Sequence, residues 1–300
     1  MKLDPATLAA LDDLTLAARI IVDGTMFGAH RSRMPGSGLE FSQYRSYQPG
    51  DDLRRVDWKL LARSDRYFVR ESETETSVLV RLLVDATGSM AERLEPSGVS
   101  TFEYARLLAA ALALVADRQG DAVGLITVSD STASAIAPRH DTRQLGRIVH
   151  ALDSLAPSGT WPAWARIEPL LLGGSAAGRR GITIVMTDGH EQSGEIRTAA
   201  ARLAAVRHDL LLLHLAGPTA ETLPYEGPVV FEELETGRRI EVDASRARAA
   251  HSAGARHDSA ALLRDVEGRG AAYELVRTDE PLDVALVRVL RARARPGAAR

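Results

Sequence analysis

The stretch Val78-Leu79-Val80-Arg81-Leu82-Leu83-Val84 constrains the fold most, because only Arg81 among its seven residues is polar and it closes on Asp85-Ala86-Thr87-Gly88-Ser89-Met90. An apolar run of this length without period-2 alternation predicts a strand buried on both faces, of the kind found in parallel sheets covered by helices on each side. Where the run stops, a carboxylate and two hydroxyls follow at spacings of two. The strand therefore ends in a place where oxygen side chains can meet a cation.

The chain downstream repeats the pattern. Residues 101–118 read as a helix with Phe102, Leu107, Leu108, Leu112 and Val115 on its apolar side, ended by Gln119-Gly120-Asp121. Residues 122–128 form a second buried strand, 141–155 a helix, and Pro157-Ser158-Gly159-Thr160 a turn into a helix over 161–172. A third strand over 181–187 ends at Asp188-Gly189, followed by a helix over 191–205 and a strand over 210–215. The remainder predicts a short hairpin over 229–242, a helix over 244–268, a last strand over 271–276 and an amphipathic helix over 281–293. Strands alternating with helices at this spacing predict an α/β fold, a doubly wound, mostly parallel sheet flanked by helices. Upstream, residues 5–22 predict one docking helix, with Asp4-Pro5 at its start.

Composition removes several classes of function. The 300 residues are 45% hydrophobic, ample for a core, and their formal net charge of -3 provides no field that would attract nucleic acid or an anionic membrane. Without cysteine there is no disulfide, no thiolate zinc site and no cysteine nucleophile. Asp12 and Asp13 interrupt what a signal peptide would need as its apolar centre. The longest apolar run, residues 107–116, falls short of the roughly 20 residues a membrane helix needs. The expectation is a cytoplasmic protein with no membrane span.

Residues 36–59 are the densest polar segment, with aromatics alternating with charges of both signs around a Pro49-Gly50 turn. Arg45, Arg54 and Arg55 lie close in sequence to Asp51, Asp52 and Asp57, so arginine-carboxylate forks are available. Two readings stand side by side. The forks staple a strand-rich extension to the main sheet, or Arg45, Tyr47, Asp51, Arg54, Arg55, Asp57 and Trp58 form a partner-binding surface, since aromatics and arginines anchor interfaces. Residues 1–77 are accordingly assigned to an N-terminal helix with a strand-rich extension, and residues 78–300 to the α/β domain.

The chemistry follows from strand ends. In an open parallel sheet, ligands sit beyond the carboxyl ends of the strands where connections diverge, and Asp85 and Asp188 close two such strands. Thr87 and Ser89 turn their hydroxyls to the same point if the loop curls, which Gly88 permits, and Thr160 brings a third hydroxyl. An all-oxygen set with open positions suits Mg²⁺ or Mn²⁺ and disfavours zinc. Taken singly, Thr160 reads as a helix cap and Ser89 as a loop hydrogen bond; only the five together argue for a metal. Trp161 and Trp164 either rim the site or pack in the core, and His190 is assigned no role.

The segment Gly38-Leu39-Glu40-Phe41 through Tyr47-Gln48-Pro49-Gly50-Asp51-Asp52-Leu53-Arg54-Arg55-Val56-Asp57-Trp58-Lys59, followed by the strand into Asp85-Ala86-Thr87-Gly88-Ser89-Met90, resembles the bacterial domain-of-unknown-function 58 family. That family looks like a branch of the von Willebrand factor type A domains, and the resemblance covers most of residues 36–190. It implies a metal-ion-dependent adhesion site, Asp-x-Ser-x-Ser followed by a Thr and an Asp, matched here by Asp85, Thr87, Ser89, Thr160 and Asp188. Thr87 departs from the pattern by one methyl while keeping the hydroxyl. In such sites both serine-type hydroxyls ligate the cation, one aspartate often binds through water, and one position is kept for an acidic residue of a partner. Relatives often occur beside a MoxR-type AAA+ ATPase, which the resemblance implies as a partner in assembling or activating other proteins. Members often carry membrane-spanning helices ahead of the signature, and that feature is not carried over.

The expectation is a non-enzymatic protein-protein interaction module that binds a divalent cation. The alternative is a Mg²⁺-dependent phosphoryl hydrolase using Asp85. Against it, Thr87 stands where an aspartyl phosphohydrolase would place a second carboxylate, and there is no Gly-x-x-x-x-Gly-Lys-[Ser/Thr] loop or Gly-x-Ser-x-Gly elbow.

Overall fold

The computed structural model describes residues 4–29, 43–46, 67–71, 78–94, 98–173, 181–190, 194–205, 209–217, 222–234 and 237–294. The chain divides into two compact units, one of residues 1–28 with 78–300 and one of residues 29–77.

In the smaller unit, β1 (Gln43–Ser46) pairs antiparallel with β2 (Phe68–Glu71), with Arg45 opposite Val69. Of the residues expected to form a partner surface, Tyr47, Asp51, Arg54, Arg55, Asp57 and Trp58 lie outside the described residues, and Arg45 is described in its backbone alone.

The larger unit begins with α1 (Pro5–Ala9) and α2 (Leu14–Ala29), two helices where the sequence predicts one. The break falls at Asp12-Asp13. Asp13 leaves the helical path to accept the Leu16 N–H on its carboxylate, a side-chain cap that starts the second helix. Leu8, Leu14, Ala17 and Ile21 are buried in the main core, so both helices belong to this unit, although the sequence groups them with the segment that follows.

After β3 (Leu79–Asp85) come a 3-10 turn (Gly88–Ala91), a short antiparallel pair of β4 (Arg93–Leu94) and β5 (Val99–Ser100), and α3 (Thr101–Arg118). The chain continues through β6 (Ala122–Ser129), β7 (Thr132–Arg139), α4 (Gln144–Asp153), α5 (Trp164–Leu172), β8 (Gly181–Thr187), α6 (Glu195–Ala205) and β9 (Asp209–Ala216). A hairpin of β10 (Pro228–Glu232) and β11 (Arg239–Asp243) precedes α7 (Ala244–Glu267), β12 (Ala272–Arg277) and α8 (Leu282–Ala294). The main sheet has six strands in the order β12-β9-β8-β3-β6-β7, all parallel except β7 at one edge. This is the α/β class that the alternation of elements predicts.

Side-chain alternation along the strands divides the core in two. Val80, Leu82 and Val84 of β3 face one way, with Ile148 of α4, Leu286 of α8 and nearly the whole of α3. Leu83 faces the other way, with Ile167 of α5, Leu203 of α6 and Val266 of α7. Helix α3 is buried almost all round, and its run of alanines, Ala109 to Ala111 and Ala113, lets neighbours approach closely. Its start is fixed by a capping box: the Glu103 N–H donates to Ser100 Oγ at 3.1 Å, and the Ser100 N–H donates to Glu103 Oε2 at 2.7 Å.

Strand β7 is absent from the sequence expectation. It joins β6 by a two-residue turn in which both Asp130 and Ser131 have positive φ, 47° and 55°. Such a turn matches the twist of a hairpin but is normally signalled by asparagine or glycine, neither of which is present. β7 lies at the sheet edge and lacks the apolar pattern of a buried strand, so periodicity alone does not reveal it.

Candidate metal centre

Strands β3 and β8 are parallel neighbours whose connections leave to opposite sides, β3 leading to β6 through α3 and β8 to β9 through α6. This divergence opens a crevice beyond their carboxyl ends, the usual ligand position in an open α/β sheet. Asp85 is the last residue of β3 and Asp188 the first after β8.

Asp85 is fully buried, and its carboxylate accepts four hydrogen bonds. Oδ1 receives the Thr87 N–H at 2.9 Å and the Thr87 hydroxyl at 2.8 Å. Oδ2 receives the Trp161 indole N–H at 2.8 Å and the Thr187 hydroxyl at 2.7 Å. Those donors fill the lone pairs a carboxylate offers. Asp188 is held by its own turn: the His190 N–H donates to Oδ1 at 2.9 Å, and His190 Nδ1 lies 3.3 Å from Oδ2. The Ser89 hydroxyl nearby also favours the ionised form of Asp188.

The two hydroxyls between the carboxylates are arranged in a way that matters for a cation. Thr87 gives its proton to Asp85 Oδ1, and Ser89 Oγ stands 3.3 Å from Thr87 Oγ1, within hydrogen-bond reach. With the Thr87 proton directed to Asp85, the Thr87 oxygen keeps lone pairs toward Ser89, which is where a cation would meet both oxygens. Two cis ligands of an octahedral Mg²⁺, each about 2.0–2.1 Å from the ion, stand about 2.9 Å apart, so this pair is nearly spaced for one hard cation.

Burial, and after it the charge of Asp188, push Asp85 up to about 7. Burial pushes Asp188 upward too, but the hydrogen bonds and charge of His190 outweigh it and hold that carboxyl below the ordinary range. The crevice thus contains one carboxyl that resists ionising and one that is kept ionised.

Thr160 stands in an adjoining loop. Its hydroxyl bonds Ser131 Oγ at 3.0 Å and its carbonyl accepts the Ser131 N–H at 2.9 Å, and among the described residues no hydrogen bond links it to the other four. The loop is nevertheless fastened to the site. Ser158 N–H donates to the Ala86 carbonyl at 2.9 Å, and Gly88 N–H donates to the Gly159 carbonyl at 2.8 Å. Gly159 has φ of 62°, and a Cβ there would come 2.5 Å from Asp130 Cα, so only glycine permits this approach. The strained turn of Asp130 and Ser131 is therefore set where it meets Thr160, the kind of place where backbone strain gathers.

The structure thus joins Asp85, Thr87 and Ser89 by direct hydrogen bonds, with Asp188 at the end of the neighbouring strand and Thr160 one loop away. Three further residues take part for which the sequence assigns no polar role. Trp161 is buried and gives its indole N–H to Asp85; Trp164 packs against the α5–α7 side of the core. Thr187 bonds Asp85 from the end of β8, and His190 holds Asp188. The one signal for Thr187 is a hydroxyl at the last strand position before the aspartate. Among the described residues no three His, Cys, Asp or Glu side chains converge, so the polar groups around the crevice are hydroxyls and two carboxylates, all of them oxygen. That chemistry fits Mg²⁺ or Mn²⁺ and not zinc.

Among known proteins, the chain is 28% identical over 302 residues to the uncharacterized protein Rv1480 of Mycobacterium tuberculosis (strain ATCC 25618 / H37Rv), covering 97% of this chain and 91% of that one. Among solved structures, it overlaps the conserved hypothetical protein BatB from Bacteroides thetaiotaomicron at 22% identity and TM-score 0.46, covering 73% of this chain and 98% of that one. It overlaps the SpRpn10 VWA domain at 12% identity and TM-score 0.40, covering 71% and 95%. No helix of the described residues is long and apolar enough to cross a membrane. The model of the family described as protein of unknown function DUF58 matches residues 43–261, most of the chain, and the chain belongs to that family.

Proposed function

We propose that this protein is a non-enzymatic interaction module that holds a divalent cation, Mg²⁺ or Mn²⁺, between Asp85, Thr87, Ser89, Thr160 and Asp188 and uses it to capture an acidic residue of a partner protein. The observation that carries the reading is the hydroxyl pair of Thr87 and Ser89, 3.3 Å apart beside two carboxylates, with the Thr87 proton directed to Asp85. Asp85, with its lone pairs filled, orients the Thr87 hydroxyl and supplies charge from behind it. Asp188, kept ionised, supplies charge from the neighbouring strand. When bound, the cation supplies a positive charge with an open coordination position that a partner's carboxylate completes.

The family resemblance makes a MoxR-type AAA+ ATPase or its client the first partner to test, in the assembly or activation of other proteins. The segment with Arg45, Tyr47, Asp51, Arg54, Arg55, Asp57 and Trp58 is the candidate specificity surface. The phosphoryl-hydrolase alternative needs a carboxylate oxygen free to attack phosphorus, and both oxygens of Asp85 are engaged by two donors each. A phosphatase panel with Mn²⁺ would support that alternative only through turnover lost in Asp85→Ala.

The test of the main reading is a pull-down of the MoxR-type ATPase with the full chain, run with Mg²⁺ and with EDTA, for wild type and Asp85→Ala. Recovery is expected only for wild type with Mg²⁺. Equal recovery in all four arms sinks the metal-bridge mechanism.

A further inference from the structure

We propose that His214, held as its Nε2–H tautomer by the Asp188 carbonyl and backed by Tyr273, is a positioning residue that fixes where Asp188 stands relative to Asp85. The inference rests on the cation-site reading and goes beyond it by assigning residues in two further strands to the site.

His214 lies on β9 opposite Thr187 of β8, on the sheet face that also carries Leu210 and Leu212, and it is almost fully buried. A leucine would suit that face, since a polar ring taken out of water must be compensated by hydrogen bonds. The ring has two. Nε2 lies 2.9 Å from the Asp188 carbonyl oxygen, and because a carbonyl can only accept, Nε2 carries the proton. Nδ1 lies 2.6 Å from the Tyr273 hydroxyl on β12, which donates to it in the neutral ring.

The carbonyl of Asp188 and the N–H of Gly189 belong to one planar peptide group. His214 holds the oxygen end. The nitrogen end donates to Thr187 Oγ1 at 3.1 Å, and the Thr187 hydroxyl proton goes to Asp85 Oδ2 at 2.7 Å. Rotating that peptide breaks both bonds together, so the Asp188 backbone has one setting, tied to Asp85 through a single side chain. Gly189 makes the arrangement possible: its φ is 80°, and a Cβ there would lie 3.2 Å from His214 Nε2. A ring this close to the backbone and a residue free of Cβ occur together.

The variants His214→Leu and His214→Gln separate positioning from packing. Leucine removes the donor, whereas glutamine carries an amide N–H near the place of Nε2–H. Mn²⁺ binding to the EDTA-stripped full chain, followed by electron paramagnetic resonance, is expected to weaken at least 10-fold in His214→Leu, the usual effect of removing a residue that orients a metal ligand. His214→Gln is expected to recover most of that loss, even if the melting temperatures of the two variants are equally lowered. Wild-type binding with unchanged affinity in His214→Leu overturns this inference alone. A wild type that binds no Mn²⁺ overturns the cation reading and this inference with it. A metal-free check is the imidazole nitrogen spectrum: His214 is expected as the Nε2–H tautomer, and an Nδ1–H tautomer contradicts the account.

Discussion

Trp161 donates its indole N–H to Oδ2 of Asp85 at 2.8 Å, joining residues 76 positions apart in the chain. The ring lies in the apolar core between β3 and α5, and its one polar atom reaches the buried carboxylate. Trp161→Phe keeps most of the packing and leaves one lone pair of a buried carboxylate unmatched. Hydrogen bonds to charged groups contribute about 2 kcal/mol. Urea unfolding at pH 8 is expected to show a loss of that order, and a loss no larger than for an exposed aromatic would show that the bond contributes nothing.

The pH dependence of the metal-free protein has a definite sign. Asp85 is raised from 3.8 to about 7 by burial and by the charge of Asp188, so between these values the folded state binds a proton that the unfolded chain has released. Stability from this group is present below pH 4 and is lost as pH rises toward 7, with a slope of at most about 1.4 kcal/mol per pH unit. Asp188 is shifted the other way, so the Asp85 contribution is read as the difference between wild type and Asp85→Asn. Denaturant melts in EDTA from pH 4 to 8 are expected to show the wild type losing stability relative to the variant. Parallel curves would contradict the assignment.

Gly189→Ala places a Cβ beside the His214 ring and forces a non-glycine residue to φ of 80°. Left-handed backbone costs an alanine about 1–2 kcal/mol, before any displacement of His214. The variant is expected to lose stability by that amount and to bind Mn²⁺ more weakly than wild type. Unchanged Mn²⁺ affinity would show that the approach of His214 to the backbone is unimportant to the site.

Ser100→Ala removes one half of the capping box that starts α3. The expected loss is about 1 kcal/mol in thermal or urea unfolding, with Mn²⁺ affinity unchanged because the side chains of the cap bond one another and not the carboxylates. A change in affinity as large as that of Asp85→Ala would mean that α3 is coupled to the site.

Much of the fold can be read from residues that act locally. The helix over 101–118 is bounded by a serine cap before it and Gly120 after it, and the buried strands announce themselves as apolar runs. The break between α1 and α2 is less visible, because Asp12-Asp13 interrupts a pattern of leucines that otherwise continues. The hairpin into β7 is invisible for a different reason: Asp130 and Ser131 adopt positive φ only because the loop carrying Ser158 and Thr160 holds their backbone. The site divides in the same way. Asp85, Thr87, Ser89 and Asp188 follow from strand ends and spacing, whereas Trp161, Thr187, His190 and His214 reach the carboxylates through hydrogen bonds that exist only once β3, β8, β9 and α5 are assembled. Thr160 lies between these cases, placed by its loop yet bonded to Ser131.

The central claim is that the crevice between β3 and β8 holds a divalent cation, and a direct Mn²⁺ titration of the EDTA-stripped full chain tests it. The account predicts one saturable site in wild type, displaced by excess Mg²⁺ and lost in both Asp85→Ala and Ser89→Ala. No saturable binding in wild type, or a site that survives both substitutions, would contradict it.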